Sequence, residues 1–98
     1  TLSRETDDGR IENVFSLHIS NTDESAHRFA VSVSGLEGIE IVGDRSVEVP
    51  AASSKTFLLS ARVDPGVGKK GSNVVHFEVR AENDPQIAVS EKTSFYQP

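Results

Sequence analysis

Three histidines, His18, His27 and His76, are the residues of this sequence best suited to holding a metal ion. Imidazoles ligate a cation only when several converge within a few ångströms. Strand parity turns His18 and His76 outward, on strands expected in different sheets. His27 opens its own strand beside Arg28. All three are expected to be solvated, and no metal ligand is assigned. The serines fall mostly on outward strand positions or in turns, and no G-x-S-x-G elbow occurs, so a Ser–His nucleophile has no frame. The carboxylates Asp7, Asp8, Asp23, Glu24 and Asp44 lie in turns, without a spacing that pairs two of them across a cleft or builds a calcium ladder. Gly66, Gly68 and Gly71 would cradle a phosphate only ahead of a helix, and no helical pattern follows them. Lys69-Lys70, inside that glycine-rich loop, reads as a solvated pair. Catalytic, cofactor-binding and metal residues are therefore all expected to be none, and the chain is read as not an enzyme.

Composition narrows the classes further. The chain has 98 residues, with no Cys, Met or Trp. No thiolate site, iron–sulfur cluster or disulfide can form within it. A formal net charge of −5 argues against nucleic acid, which needs a basic surface, and against direct contact with an anionic membrane. It also favours a soluble, monomeric domain. No apolar run is long enough to span a bilayer as a helix, and no signal peptide opens the chain. With no Met at position 1, Thr1 is expected to start a piece cut from a longer protein.

Any positioning of these groups must come from strands. Phe15, Leu17 and Ile19 alternate with Ser16, His18 and Ser20; Phe29, Val31 and Val33 alternate with Ala30, Ser32 and Ser34. Phe57, Leu59, Ala61 and Val63 form a third series, and Val75, Phe77, Val79 and Ala81 a fourth. Ile87 and Val89 flank Ala88 in the last. Period-two alternation marks strands with one buried face. Two shorter strands hold Ile39, Ile41 and Val42, then Val47 and Val49. A leading edge strand near Leu2 to Thr6 is weakly coded. On this reading odd positions from Phe15 to Val89 share one apolar interior.

The breaks carry turn chemistry. Asn21-Thr22-Asp23-Glu24 suits an Asx-type turn. Gly43-Asp44 reads as a tight reversal, and Asn83-Asp84-Pro85 as a short hairpin. Asp64 to Ser72 is the longest unstructured stretch, expected to cross between sheets and, with its glycines, to be mobile. About seven antiparallel strands with such punctuation predict an all-β, Greek-key sandwich spanning residues 1–98 as one domain, without a disulfide. It is fibronectin-III-like or Ig-like, and not of the antibody type, whose Cys–Trp–Cys core and tyrosine corner are missing. Phe95-Tyr96 is read either as an exposed contact patch or as a cap on the open end of the sandwich.

Gly9-Arg10-Ile11-Glu12-Asn13 before the Phe15 strand, Gly35-Leu36-Glu37-Gly38 after the Phe29 strand, Arg62-Val63-Asp64-Pro65, Gly71-Ser72 and Glu91-Lys92-Thr93-Ser94-Phe95 occur in that order. Together they resemble the C-terminal Ig-like domain of the FixG/CcoG family of bacterial membrane proteins, over essentially the whole chain. The resemblance implies an accessory role in assembling cbb-type cytochrome oxidase, linked to copper handling. It implies an integral membrane portion and iron–sulfur clusters elsewhere in the full protein, so that contact with the membrane comes only through that missing N-terminal part. It further implies that this domain stands on the periplasmic side of the inner membrane. The expected partner is a protein, such as an oxidase subunit or assembly factor, recognised through a sheet edge. Two competing readings are a spacer or carbohydrate-associated Ig-like domain of a secreted bacterial protein and a small copper-delivery domain. Missing Trp weighs against the first, and missing Met and Cys against the second.

Overall fold

Where apolar and polar residues alternate, strands form. They are β1 (Leu2–Glu5), β2 (Ile11–Asn21), β3 (His27–Ser34), β4 (Glu40–Val42), β5 (Ser46–Val49), β6 (Ser53–Val63), β7 (Gly71–Ala81) and β8 (Ala88–Gln97). The computed structural model describes residues 2–98, without the side chain of Leu2. One sheet has the order β1-β2-β6-β4 and the other β5-β3-β7-β8, with every pairing antiparallel. Only the β1–β2 and β7–β8 connections stay within a sheet. All others change sheets, which gives the Greek-key sandwich that the punctuation predicted.

Three expectations change. The weakly coded leading segment is a full strand, so the described residues hold eight strands where about seven were expected. It lacks periodicity because partners hold it: Leu2–Glu5 pairs with Ile11–Val14, and Arg4 reaches Glu12 at 2.9 Å. Gly43-Asp44 does not fold a strand back on its neighbour. It carries the chain from β4 in one sheet to β5 in the other. The Asp64–Ser72 connection does cross between sheets, but it is pinned, as described below.

The core lies between the sheets. Ile11, Phe15, Leu17, Ile19, Leu59, Ala61 and Val63 from one side meet Phe29, Val31, Val75, Phe77, Val79 and Phe95 from the other. Phe15 packs edge-on to Phe77 with ring centroids 5.0 Å apart and lies 6.3 Å from Phe95. The inward rule fails at the margins. Val89 has inward parity yet is 62% exposed, because β8 is an edge strand and none of the described residues covers it. Phe57, Val33, Ile39 and Ile87 are only partly buried. For Phe57 the cause is again a short neighbour, since β4 pairs with β6 only over Ser60–Arg62. Phe95 and Tyr96 part company: Phe95 is fully buried in the core, while Tyr96 stands 45% exposed on the outer face.

Candidate functional site

His18 lies on β2 in one sheet and His76 on β7 in the other, both exposed. Among the described residues, no three His, Cys, Asp or Glu side chains gather as a metal site. His27 corrects the expectation of three solvated histidines. It is only 5% exposed, because it shares the inward parity of Phe29, whose ring it meets edge-on at 6.1 Å. Its Nε2 lies 2.8 Å from Asp23 Oδ2 and its Nδ1 2.9 Å from Asn83 Oδ1. Both neighbours present acceptor oxygens, so only the doubly protonated ring donates to both. The Asp23 carboxylate, then Asn83, raises the His27 pKa above its ordinary value, against the opposing effect of burial. The bond from His27, then the Glu24 amide, lowers that of Asp23. His27 therefore latches the β2–β3 turn to the β7–β8 turn. Its odd position was the available signal.

The buried amides were also missed. Asn13, Asn21, Asn73 and Gln97 are each less than a tenth exposed. All sit on the inward parity of their strands, among the first or last three residues of each. Asn21 Nδ2 donates to Ser25 O, Val49 O and Pro50 O at 2.9 to 3.1 Å, while its Oδ1 accepts from Asp23 N at 3.0 Å. Asn73 Oδ1 accepts from Lys69 N at 2.9 Å, and its Nδ2 donates to Lys69 O at 2.8 Å. Gln97 Nε2 donates to Val67 O at 3.0 Å. These bonds tie down the glycine-rich stretch expected to be mobile. Lys69 and Lys70 remain exposed on its surface.

On the outer face of the β1-β2-β6-β4 sheet, Glu12 is buried between Arg4 and Arg62, each with Nε 2.9 Å from a carboxylate oxygen. The hydrogen bond from Arg62, reinforced by Arg4, holds the Glu12 carboxyl below its usual range despite desolvation. Arg10 continues the belt toward Glu40 and Asp64. Its Nε sits 3.3 Å from Asp64 Oδ1 but off the hydrogen-bond direction. A depression of about 280 Å³ beside it is lined by Arg4, Thr6, Asp7, Asp8 and Arg62. Both of its arginines are engaged by the one carboxylate of Glu12.

Unused hydrogen-bonding capacity lies instead on the open side of the sandwich, between β2 and β8. There β1 covers only Ile11–Val14 of β2. The gap is a slot of about 260 Å³ lined by Leu17, His18, Ile19, Val79, Val89, Ser90 and Glu91. Below it, Asn13 closes the space by bonding the backbone of Tyr96 through both its Oδ1 and Nδ2.

Comparison with known proteins follows this geometry. A family model described as "IG-like fold at C-terminal of FixG, putative oxidoreductase" matches residues 1–98. No curated protein matches the sequence. Among solved structures, that of a FixG-related protein from Vibrio parahaemolyticus superposes with a TM-score of 0.80 at 15% identity. The match covers 98% of this chain and 91% of that one. At that identity the likeness is one of fold, and it is the same sandwich.

Proposed function

The chain belongs to the family of Ig-like domains found at the C-terminus of FixG, and from that membership we propose that it is a non-catalytic interaction module of a membrane-bound redox accessory protein. In this reading the rest of the protein spans the inner membrane and carries the iron–sulfur clusters. This domain stands on the periplasmic side and docks an oxidase subunit or assembly factor during assembly of a cbb-type cytochrome oxidase and its copper supply. The domain itself holds no cluster ligand, since it contains no cysteine.

One observation carries the reading. The buried amides hold backbone and the buried carboxylate Glu12 holds two arginines, so these buried polar groups are committed to the fold. The unpaired hydrogen-bonding groups run along a sheet edge, and edges of this kind recognise protein chains.

The test uses the full-length protein in its own membrane, with this domain intact or exchanged for an unrelated Ig-like domain. The exchange is expected to lower the oxidase content of the membranes, read from its haem spectrum, and to abolish photo-crosslinks from the domain to assembly components. Unchanged oxidase content together with unchanged crosslinks would reject the reading.

A further inference from the structure

We infer that the free edge of β6 pairs with the same edge of a second copy of this chain, antiparallel about Thr56, so that the two β1-β2-β6-β4 sheets join into one. This pairing goes beyond the interaction-module reading and does not depend on it.

The opening is made in the middle of the chain. β4 pairs with β6 only over Ser60–Arg62, and after Val42 the chain leaves for β5 in the other sheet. β6 itself begins at Ser53, after a turn at Ala51 and Ala52. From Ser53 to Leu59 it has β2 on one side and, among the described residues, no strand on the other. β1 and β8 lie together along the opposite side of the sandwich, where Ser3 and Asn13 meet Tyr96.

The ladder shows which backbone groups are free. Thr6 N donates to Arg10 O just beyond the Glu5–Ile11 rung. Bonded and non-bonded rungs alternate in an antiparallel pair. The even residues of β2 therefore bond β1, and the odd ones bond the odd residues of β6. The even residues of β6 face away from β2. Of these, Arg62 and Ser60 meet Glu40 and Val42 of β4. The N–H and C=O groups of Ser54, Thr56 and Leu58 have no backbone partner on that side among the described residues. Leu58 is also 68% exposed, and Phe57 beside it is only partly buried. A row of donors and acceptors at strand spacing is matched by another strand.

The side chains select the occupant and its register. Setting Thr56 opposite its own counterpart maps Ser53–Leu59 onto itself and stops short of either β4. Thr56 then bonds Thr56 and Ser54 bonds Leu58, giving roughly six interchain hydrogen bonds. Lys55 comes opposite Phe57, where its stem covers the ring and its ammonium meets the ring face. Lys55 is the one charged residue of the span, and its Nζ reaches only the Glu48 carbonyl, at 3.2 Å. A register centred on Lys55 would oppose two ammonium groups. One centred on Phe57 would set Ser54 against Ser60, which β4 already holds. An edge this short buries less than the ~1,200 Å² of a stable complex, so the free domain pairs weakly.

Sedimentation of the chain at concentrations up to about 1 mM tests this. The average mass is expected to rise from monomer toward dimer, and exchange of the Ser54, Thr56 and Leu58 amides to slow over the same range. Thr56→Lys and Thr56→Glu, at an exposed position, each oppose like charges across the two-fold axis and should weaken the dimer roughly fivefold. Mixing the two variants should restore the wild-type affinity or better, which requires position 56 to meet itself. The pairing is overturned by a monomer throughout the range, by a dimer whose slowed amides lie elsewhere, such as Ser90, Lys92 and Ser94 on β8, or by a mixture no tighter than either variant alone. A photo-crosslinker at Leu58 of the full-length protein that joins other polypeptides and never a second copy would also reject it. None of these outcomes touches the domain exchange that tests the interaction module.

Discussion

The side chain of Asn13 pairs with the main chain of Tyr96 as a neighbouring strand would. Tyr96 N donates to Asn13 Oδ1 at 2.8 Å, and Asn13 Nδ2 donates back to Tyr96 O at 3.1 Å. The two residues belong to different sheets, so the pair stitches the sandwich shut where β1 ends. Asn13 itself is fully buried. Replacing it with Leu leaves Tyr96 N without a partner and Tyr96 O with only the Ser3 hydroxyl at 3.3 Å, at a cost of about 1–3 kcal/mol. Chemical denaturation would register the loss, and hydrogen exchange should place it first at the Tyr96 amide. A change below about 0.5 kcal/mol would show that water replaces the side chain at no cost.

His27 makes stability depend on pH. Its native pKa lies above the unfolded value, so its contribution is complete below about pH 6.5 and fades as pH rises through the native value. Asp23 acts in the opposite sense: its lowered pKa adds stability above the ordinary carboxylate range, lost as pH falls through the native value. The latch is therefore strongest in between, with Asp84 as the further carboxylate facing the ring. Denaturation of the wild type and of His27→Gln across pH 5–9 should show the stability difference shrinking at the alkaline end. A constant difference would mean that the ring is neutral throughout.

Gly35 sits with φ at +120°, and a Cβ there would lie 2.8 Å from Val74 O and 3.0 Å from Val75 Cα. Both atoms are backbone of a central strand and cannot move aside. Gly35→Ala should cost about 2–4 kcal/mol. Gly9 also has positive φ, at +84°, but nothing lies within 4 Å of its Cβ position. Gly9→Ala should cost only about 1 kcal/mol. Denaturation midpoints of the two variants, measured side by side, separate steric conflict from backbone strain.

Glu12→Gln removes the anion between Arg4 and Arg62 while keeping the shape. A loss of about 1–3 kcal/mol is expected near neutral pH. Because the Glu12 carboxyl titrates below its usual range, the difference between wild type and variant should disappear as pH falls through that native value. A difference that persists in strong acid would assign the effect to packing.

The class of fold was legible because one face of each long strand is apolar. The alternation from Phe15 to Ile19 and from Val75 to Ala81 needs no tertiary knowledge to read. The strand β1 was barely legible, since its stability resides in partners six or more residues away, such as Glu12 for Arg4. His27 and the buried amides were hidden for a related reason. Polarity alone suggests solvent, yet inward parity at a strand end places such a side chain where loop carbonyls need a donor. The open slot could not be read at all. It lies between β2 and β8, strands far apart in the sequence.

Every connection between Ser34 and Ser53 changes sheets. A single proteolytic nick in any of them would divide both sheets at once. Neither product would inherit an intact layer, and no half-molecule could persist as a remnant. The domain must survive digestion whole or vanish, with its β2–β3 and β6–β7 turns as the only crossovers where a cut leaves one sheet unbroken.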